Sequence, residues 1–357
     1  MNEASVCAPA TAREAVPCVR EFAESDRVRW DAFVAQCPEA TFFHRSGWRD
    51  VIERAFGHRT VFLLAERRGR VTGVLPLAQI KSALFGNSLI SLPFCVYGGV
   101  AAEDSESADV LLDAATARAE ALGVGHLECR NLRSRRPDWA SSDLYVTFRK
   151  RLEAEVDANM LAIPRKQRAM VRKGMKAGLV STVDTDIDQF FALYADNVHR
   201  HGTPALPKRY FSILQECFGA DVEVLTASTA QGKPLSTVLS FRFRDEILPY
   251  YAGDAPIARE YAANDFKYWE VMRRACERGI RVFDYGRSKR GTGPFDFKKN
   301  WGFLPQPLAY EYRLVRADSV PQNNPLNPKY RAFIALWKRL PLGVANRLGP
   351  LIVRSLG

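Results

Sequence analysis

"NDFKYWEVMRRACERGIRVFDYG", Asn264 to Gly286, is the stretch that decides the fold. It reads as an amphipathic helix halted at Gly279, followed by a short apolar strand that ends on Asp284 and Gly286. The same order occurs earlier, in "SADVLLDAATARAEALGVGHLECRN", Ser107 to Asn131, where the helix stops at Gly123 and "GHLECRN" follows. Aligning Gly123 with Gly279 also aligns Glu128 with Asp284, so the correspondence holds across the junction.

Working outward, each helix and strand is preceded by two helices and three strands. In the first copy the helices are "RVRWDAFVAQC" and "SGWRDVIERAFG". The strands are "TVFLLAER" and "RVTGVLPLAQI", joined at Arg68-Gly69, and "SLISLPFCVYGGV", which runs into a glycine turn. Ser105 and Ser107 are candidate caps for the next helix. In the second copy the helices "DIDQFFALYADNVHRHG" and "LPKRYFSILQECFG" precede the strands "DVEVLTAS", "KPLSTVLSFRF" and "EILPYYAG", with a hairpin at Asp245-Glu246. The period is too long for a solenoid, so this is an internal duplication.

The expected class is α/β (α+β), with two tandem domains, each a mixed, mostly antiparallel sheet flanked by helices. The expected divisions are an N-terminal extension 1–26, a first domain 27–155, a basic helix 156–180, a second domain 181–316, and a linker with a cationic amphipathic helix 317–357. In that last helix Tyr330, Phe333, Ile334 and Trp337 share a face. It either packs back on its own domain or lies on a membrane surface. A chain of 357 residues that is 47% apolar can fill two cores.

The net charge of +11 favours a polyanionic partner: nucleic acid, an anionic membrane surface or a phosphorylated substrate. Within "IPRKQRAMVRKGMKAG", Ile163 to Gly178, residues Arg165, Arg168, Arg172 and Lys176 form one stripe with no acid beside them, which points to phosphate contact over a merely solvated face. Seven scattered cysteines without a CxxC point to a reducing, cytoplasmic compartment. No window has the length of a membrane span, so the protein is expected to be cytoplasmic, reaching the inner face of the membrane only through its C-terminal helix.

HExxH, GxSxG, GxxxxGK[ST] and strand-linked GxGxxG motifs are absent, which removes support for metalloprotease, α/β-hydrolase, P-loop and Rossmann chemistry. Five histidines offer no metal set, and no tightly bound cofactor is expected. "GRSKRGTGPFDFKKNWGF", Gly286 to Phe303, instead packs five cations, four aromatics and four glycines into eighteen residues. It reads as a loop folding over an anionic ligand, with Arg287 and Lys289 holding phosphate or carboxylate. Phe297 and Trp301 belong to its wall, and Tyr250, Tyr251 and Tyr268 are candidates for the same cleft. Tyr97 and Gly98, at the equivalent place in the first copy, mark an acceptor pocket. Asp284 and Asp265 are the carboxylates placed to orient or deprotonate an amine.

The order of elements is that of the GNAT acyltransferase core. The run from "ANDFKYWE" through "FDYGRS", "FKK" and "WGF", with "SLPFCVYGG" and "IPRKQRAMVRKG", resembles the FemAB-related proteins, in particular the branch associated with PEP-CTERM/exosortase and exopolysaccharide loci. The resemblance covers roughly Phe42 to Val315. It implies tandem GNAT folds and transfer of an amino acid from aminoacyl-tRNA to an amine of a cell-envelope precursor. The family's FK motif falls on Phe297 and Lys298, which implies that Lys298 stabilises charge at the reaction centre. Where acyl-CoA-binding GNATs place a glycine-rich pyrophosphate loop, Arg259 to Asn264 carries Ala262 and Asn264. The donor is therefore expected to be aminoacyl-tRNA, with an acyl-CoA-dependent transfer to an amino sugar or exopolysaccharide precursor as the alternative. A non-catalytic binding module of envelope assembly is a third reading.

Overall fold

A computed structural model describes residues 16–82, 86–321 and 331–355. Residues 1–15, most of the expected linker and Tyr330 lie outside these. The first copy contributes β1 (Cys18–Glu21), α1 (Arg27–Gln36), α2 (Gly47–Phe56), β2 (Arg59–Arg67), β3 (Arg70–Ser82), β4 (Gly86–Ser91), β5 (Ala101–Ala102), α3 (Ser105–Ala121) and β6 (His126–Asn131). Four short pieces follow: β7 (Ala140–Ser142), β8 (Tyr145–Thr147), β9 (Arg149–Arg151) and α4 (Val156–Ala162). The second copy runs from α5 (Arg165–Lys176) through β10 (Val180–Asp184), α6 (Asp188–Arg200), α7 (Lys208–Phe218), β11 (Val222–Ser228), β12 (Pro234–Phe243) and β13 (Glu246–Asp254) to α8 (Ala263–Glu277) and β14 (Val282–Asp284). Beyond it are β15 (Ser288–Lys289), α9 (Gly293–Asn300), β16 (Gln306–Pro307), β17 (Ala309–Leu314), α10 (Arg331–Trp337) and α11 (Leu342–Val353).

Local signals explain most of these boundaries. Arg68 and Gly69 have φ of 52° and 76°, which turns the β2–β3 hairpin with the strands' own twist. Gly123 and Gly279, at φ of 58° and 73°, let the chain leave α3 and α8 in the left-handed region. The cap of α3 differs from expectation: Asp104 accepts the Ser107 amide at 2.8 Å, so Ser107 is the donor and not the cap. β1 lies inside the expected N-terminal extension, where Cys18 to Glu21 pair with Glu66 to Leu63. The Gly286–Phe303 stretch is also more ordered than a loop, since α9 carries Lys298. The expected single C-terminal helix is two, α10 and α11, parted at Pro341.

Beside a small sheet of order β15-β8-β16, the two larger sheets are not self-contained. In the first, the order is β1-β2-β3-β4-β6-β17-β7, with β5 on β3. In the second it is β10-β11-β12-β13-β14-β9. Strand β17, from the end of the second copy, lies antiparallel to β6, with Glu311 opposite Cys129. Strand β9, from the end of the first copy, lies antiparallel to β14, with Arg149 opposite Asp284. The sheets therefore exchange strands across the expected boundaries at 155 and 181. A shared aromatic core reinforces the exchange: Phe42 stacks on Phe241 at 4.5 Å, and Trp48 lies 5.4 Å from Phe218.

Glu311 is the polar anchor of this exchange. It is 1% exposed and accepts from Asn131 Nδ2 at 2.7 Å, Ser134 Oγ at 2.6 Å and the amides of Arg135 and Arg136 at 2.9 Å. Glu311→Ala leaves buried Asn131 and the Ser134–Arg136 donors without their acceptor and should lower the unfolding free energy by about 3 kcal/mol, while Glu311→Gln costs less. Urea titration followed separately by tryptophan fluorescence and circular dichroism should show one coincident, shifted transition.

Candidate functional site

Parallel strands that pair and then part create the site. β4 and β6 pair from Ser88–His126 to Ile90–Glu128 and then diverge. A cavity of about 470 Å³ opens there, with Tyr97, Gly98, Thr147, Arg130, Arg133 and Arg149 in its wall. The segment after β4 cannot continue as strand, because Leu92 and Phe94 have φ of 50° and 68° and Gly98 has φ of 124°. Non-glycine residues in that region store strain, so something must hold them.

The surrounding residues do so carbonyl by carbonyl. Arg130 Nη1 donates to Cys95 O at 2.6 Å, Tyr250 Oη to Phe94 O at 3.1 Å, and Tyr310 Oη to Val96 O at 2.6 Å. His44 Nε2 donates to Gly99 O at 2.9 Å, and burial pulls the His44 imidazole down to about 4, keeping it neutral. A Cβ at Gly99 would lie 1.9 Å from Asn131 Oδ1, so only glycine fits there. Tyr97 is thereby fixed with its ring buried and its hydroxyl aimed at the second copy.

That hydroxyl meets Asp284. Tyr97 Oη donates to Asp284 Oδ2 at 2.8 Å and lies 2.5 Å from Thr147 Oγ1, which donates to Asp284 Oδ1 at 3.2 Å. The Gly286 amide donates to Oδ1 at 2.7 Å, and Arg149 Nε stands 3.4 Å from Oδ2 while its guanidinium also pairs with Glu246. Burial pushes the Asp284 carboxyl up; Arg149, the Gly286 amide and Tyr97 pull against it. Asp284 is 1% exposed and its oxygens are taken, so it reaches the cavity through Tyr97 and Thr147 rather than directly.

Lys298 lies behind this network. Its ammonium donates to Gly286 O at 3.1 Å and Arg287 O at 3.0 Å, 5.8 Å from the Phe148 ring centroid. An ammonium has three N–H groups, so one remains for another acceptor. Burial drags its pKa down to about 7; Asp284 resists this and Arg287 adds to it. The structure thus brings together Lys298, Asp284, Tyr97 and Gly98 from the expected site.

The other candidates divide. Arg287 is half-buried over Tyr145 and Tyr310, donating to Tyr310 Oη at 3.1 Å, so it props the inter-copy seam rather than presenting itself to a phosphate. Lys289 is half-buried beside Tyr145, and burial lowers it to about 8. Tyr250 touches the site through Phe94, whereas Tyr251 is bonded to Tyr210 at 2.9 Å within the core. Tyr268, Phe297 and Trp301 form one aromatic cluster; Trp301 is fully buried and Phe297 half-buried. Asp265 does not join Lys298. It is bonded to Gln167 at 2.9 Å and Trp301 Nε1 at 3.1 Å, tying α5, α8 and α9 together.

The stripe Arg165, Arg172 and Lys176 is exposed on α5, whose other face buries Val171 and Gly174 against α8. Arg168 turns back to cap Leu161 O at 2.8 Å. None of the four forms an ion pair among the described residues. Sequence reading missed Thr147, Arg149, Arg130, Asn131 and Arg133. The alternation in "YVTFRKR" was the available signal for the first two, because it marks a strand with polar residues on one face.

The linkage of Lys298 has a definite sign. Its folded pKa of about 7 lies below the ordinary 10.5, so between these values the unfolded chain binds more protons and stability rises with pH. Lys298→Met removes that slope. The melting temperature of the variant should exceed that of the native protein most at pH 7 and below, and the gap should close towards pH 10.5, as read by calorimetry across the range.

Comparisons with known proteins agree with this architecture. Residues 163–299 match a family model described as an acetyltransferase (GNAT) domain. Over 158 residues, 41% of the chain, the protein is 24% identical to the UDP-N-acetylmuramoylpentapeptide-lysine N(6)-alanyltransferase of Weissella viridescens. That match spans about half, 47%, of the relative's length. Among solved structures, FemX superposes with a TM-score of 0.66 at 15% identity, over 88% of this chain and 99% of that one. A tandem GNAT protein from the clavulanic acid biosynthesis pathway superposes with a TM-score of 0.51 at 14% identity, over 86% and 100%. Residues 163–299 thus carry a GNAT acetyltransferase domain, and the chain as a whole shares its fold with FemX and with a tandem GNAT protein.

Proposed function

We propose that the protein is a Fem-type N-acyltransferase that moves an aminoacyl group from aminoacyl-tRNA to an amine of a cell-envelope precursor. The observation that carries this reading is Lys298 held at about 7 beside Asp284, with Tyr97 and Thr147 leading from that carboxylate to a cavity walled by arginines. Tyr97 donates its O–H hydrogen bond to Asp284, so its oxygen is left to accept an N–H of the incoming amine. The amine nitrogen attacks the ester carbonyl, the C–N bond forms, the C–O bond to the ribose breaks, and the proton the nitrogen sheds makes good the one that the departing ribose oxygen takes up. Lys298, with one N–H uncommitted, is assigned the role of stabilising the developing negative oxygen, and a pKa near neutrality suits passing a proton to the departing ribose. No nucleophile of the enzyme is needed.

The start of α8 favours tRNA over a thioester as donor. Asp265 places a carboxylate in its first turn, and α5 packs so closely that a Cβ at Gly174 would meet Phe266 at 2.7 Å. A pyrophosphate bound at those amides would face that acid, while the exposed stripe on α5 offers the phosphate track an RNA needs. One observation favours acyl-CoA-dependent transfer to an amino sugar or exopolysaccharide precursor: Ala262, at φ of 54°, keeps the left-handed turn that opens α8. The cytoplasm, at the inner membrane face, is the compartment in which such donors and envelope precursors meet.

Lys298→Ala should lower kcat by about 10²- to 10³-fold with the fold intact; unchanged function in the variant would favour a binding module instead. The purified protein should bind charged tRNA more tightly than uncharged tRNA and keep that preference as salt rises. Loss of tRNA binding with salt while acyl-CoA binding persists would assign the thioester donor. Arg133 is exposed in the cavity wall, and Arg133→Ala should raise the KM for an anionic acceptor about tenfold with kcat unchanged.

A further inference from the structure

α10 and α11 carry a surface that the proposed chemistry does not use. Their inner side is pinned to both copies. Ala345, Gly349 and Val353 are buried, a Cβ at Gly349 would lie 3.1 Å from Ala205 O, and Ile334 packs on Gly202. His199 donates to Trp337 O at 3.1 Å, and His58 to Arg354 O at 2.7 Å. Of the expected shared face, Ile334 and Trp337 are therefore turned inward, which is the packed-back alternative.

The outer side is a different set of residues. Val344, Leu348 and Leu351, at i, i+4 and i+7 of α11, are 41%, 43% and 63% exposed, and Leu336 of α10 is 64% exposed. With Phe333, these two helices hold five of the twelve large apolar side chains exposed among the described residues. Arg347 lies on the outer face of α11, Arg354 follows that helix, and Lys338 and Arg339 follow α10, all exposed. None of these four cations forms an ion pair among the described residues. From Arg331 to Gly357 the sequence has no Asp or Glu.

The mixture selects the occupant. The core of a protein interface is depleted of charge, whereas here arginines alternate with leucines on one face. A bilayer interface accepts both, because leucine enters the headgroup–acyl boundary while guanidinium stays at the phosphates. Twelve residues of α11 make a helix of about 18 Å, too short to span a bilayer and suited to lying along it. We infer that the outer face of α10 and α11 docks on an anionic lipid surface. Val344, Leu348, Leu351 and Leu336 enter the boundary region, and Lys338, Arg339, Arg347 and Arg354 meet the lipid phosphates.

Flotation of the full chain with vesicles of phosphatidylcholine alone, or mixed equally with phosphatidylglycerol, tests this. The protein should float with the mixed vesicles and far less with the neutral ones. Arg347→Ser with Arg354→Ser should weaken the mixed-vesicle partition by about fivefold per arginine, and added salt should mimic the loss. Leu348→Asp with Leu351→Asp should abolish flotation while circular dichroism stays native, since both side chains point outward. Native protein that stays unbound with mixed vesicles would overturn the inference, as would unchanged binding by the leucine variant. So would a native dimer by light scattering that the leucine variant converts to monomer, because the face would then join two copies. The readout is partition, not transfer, so it stands apart from the acyl-transfer reading.

Discussion

The pairing of β17 with β6 is the contact on which the rest of the molecule depends. It completes the first sheet with a strand supplied by the second copy, and it carries Glu311 and Tyr310 into the first copy's interior. Glu311 organises Asn131 and the Ser134–Arg136 turn, and Asn131 in turn holds the Val100 amide at 3.0 Å. Tyr310 holds Val96. The cavity wall and the strained segment bearing Tyr97 thus take their shape from residues near the other end of the described chain. An acid buried in such a place is tolerated because each oxygen is met by polar hydrogen, and its removal leaves those hydrogens with nothing to replace it.

A second balance operates at Asp284 and Lys298. Both lose hydration, which drives the carboxyl up and the ammonium down, so each disfavours its own charge. The tyrosine, threonine, amide and carbonyl partners around them are neutral dipoles held by strands and by α9, and they need no rearrangement when charge develops nearby. Fixed dipoles of this kind are cheap to use at the moment of reaction because the cost of orienting them was met on folding.

Much of this was legible in the sequence, for reasons that are local. The hairpin at Arg68-Gly69, the helix stops at Gly123 and Gly279, and the matching order of elements each rest on residues close together in the chain. Tyr97, Asp284 and Lys298 were legible as separate candidates through the duplication and the FK motif; that Tyr97 meets Asp284 was not. What escaped is non-local. Nothing in "AYEYRL" says that it will lie beside "HLECRN", since an alternating strand pairs with any edge of matching polarity. Asp265 looked free because its partners, Gln167 and Trp301, lie on other elements. Arg287 looked like a ligand clamp because stacking on Tyr145 and Tyr310 requires strands whose positions only the fold sets.

The exchange of β9 and β17 is reciprocal: each follows its own copy's helix–strand pair, and each lies antiparallel to the strand that pair forms in the other copy. This is the arrangement two like chains adopt when they trade their last strands and are afterwards joined end to end. Deleting either half of the gene would therefore not return an ancestral single module. It would leave one sheet without its closing strand and a second strand without a sheet, so the duplication, once interlocked, is heritable only as a whole.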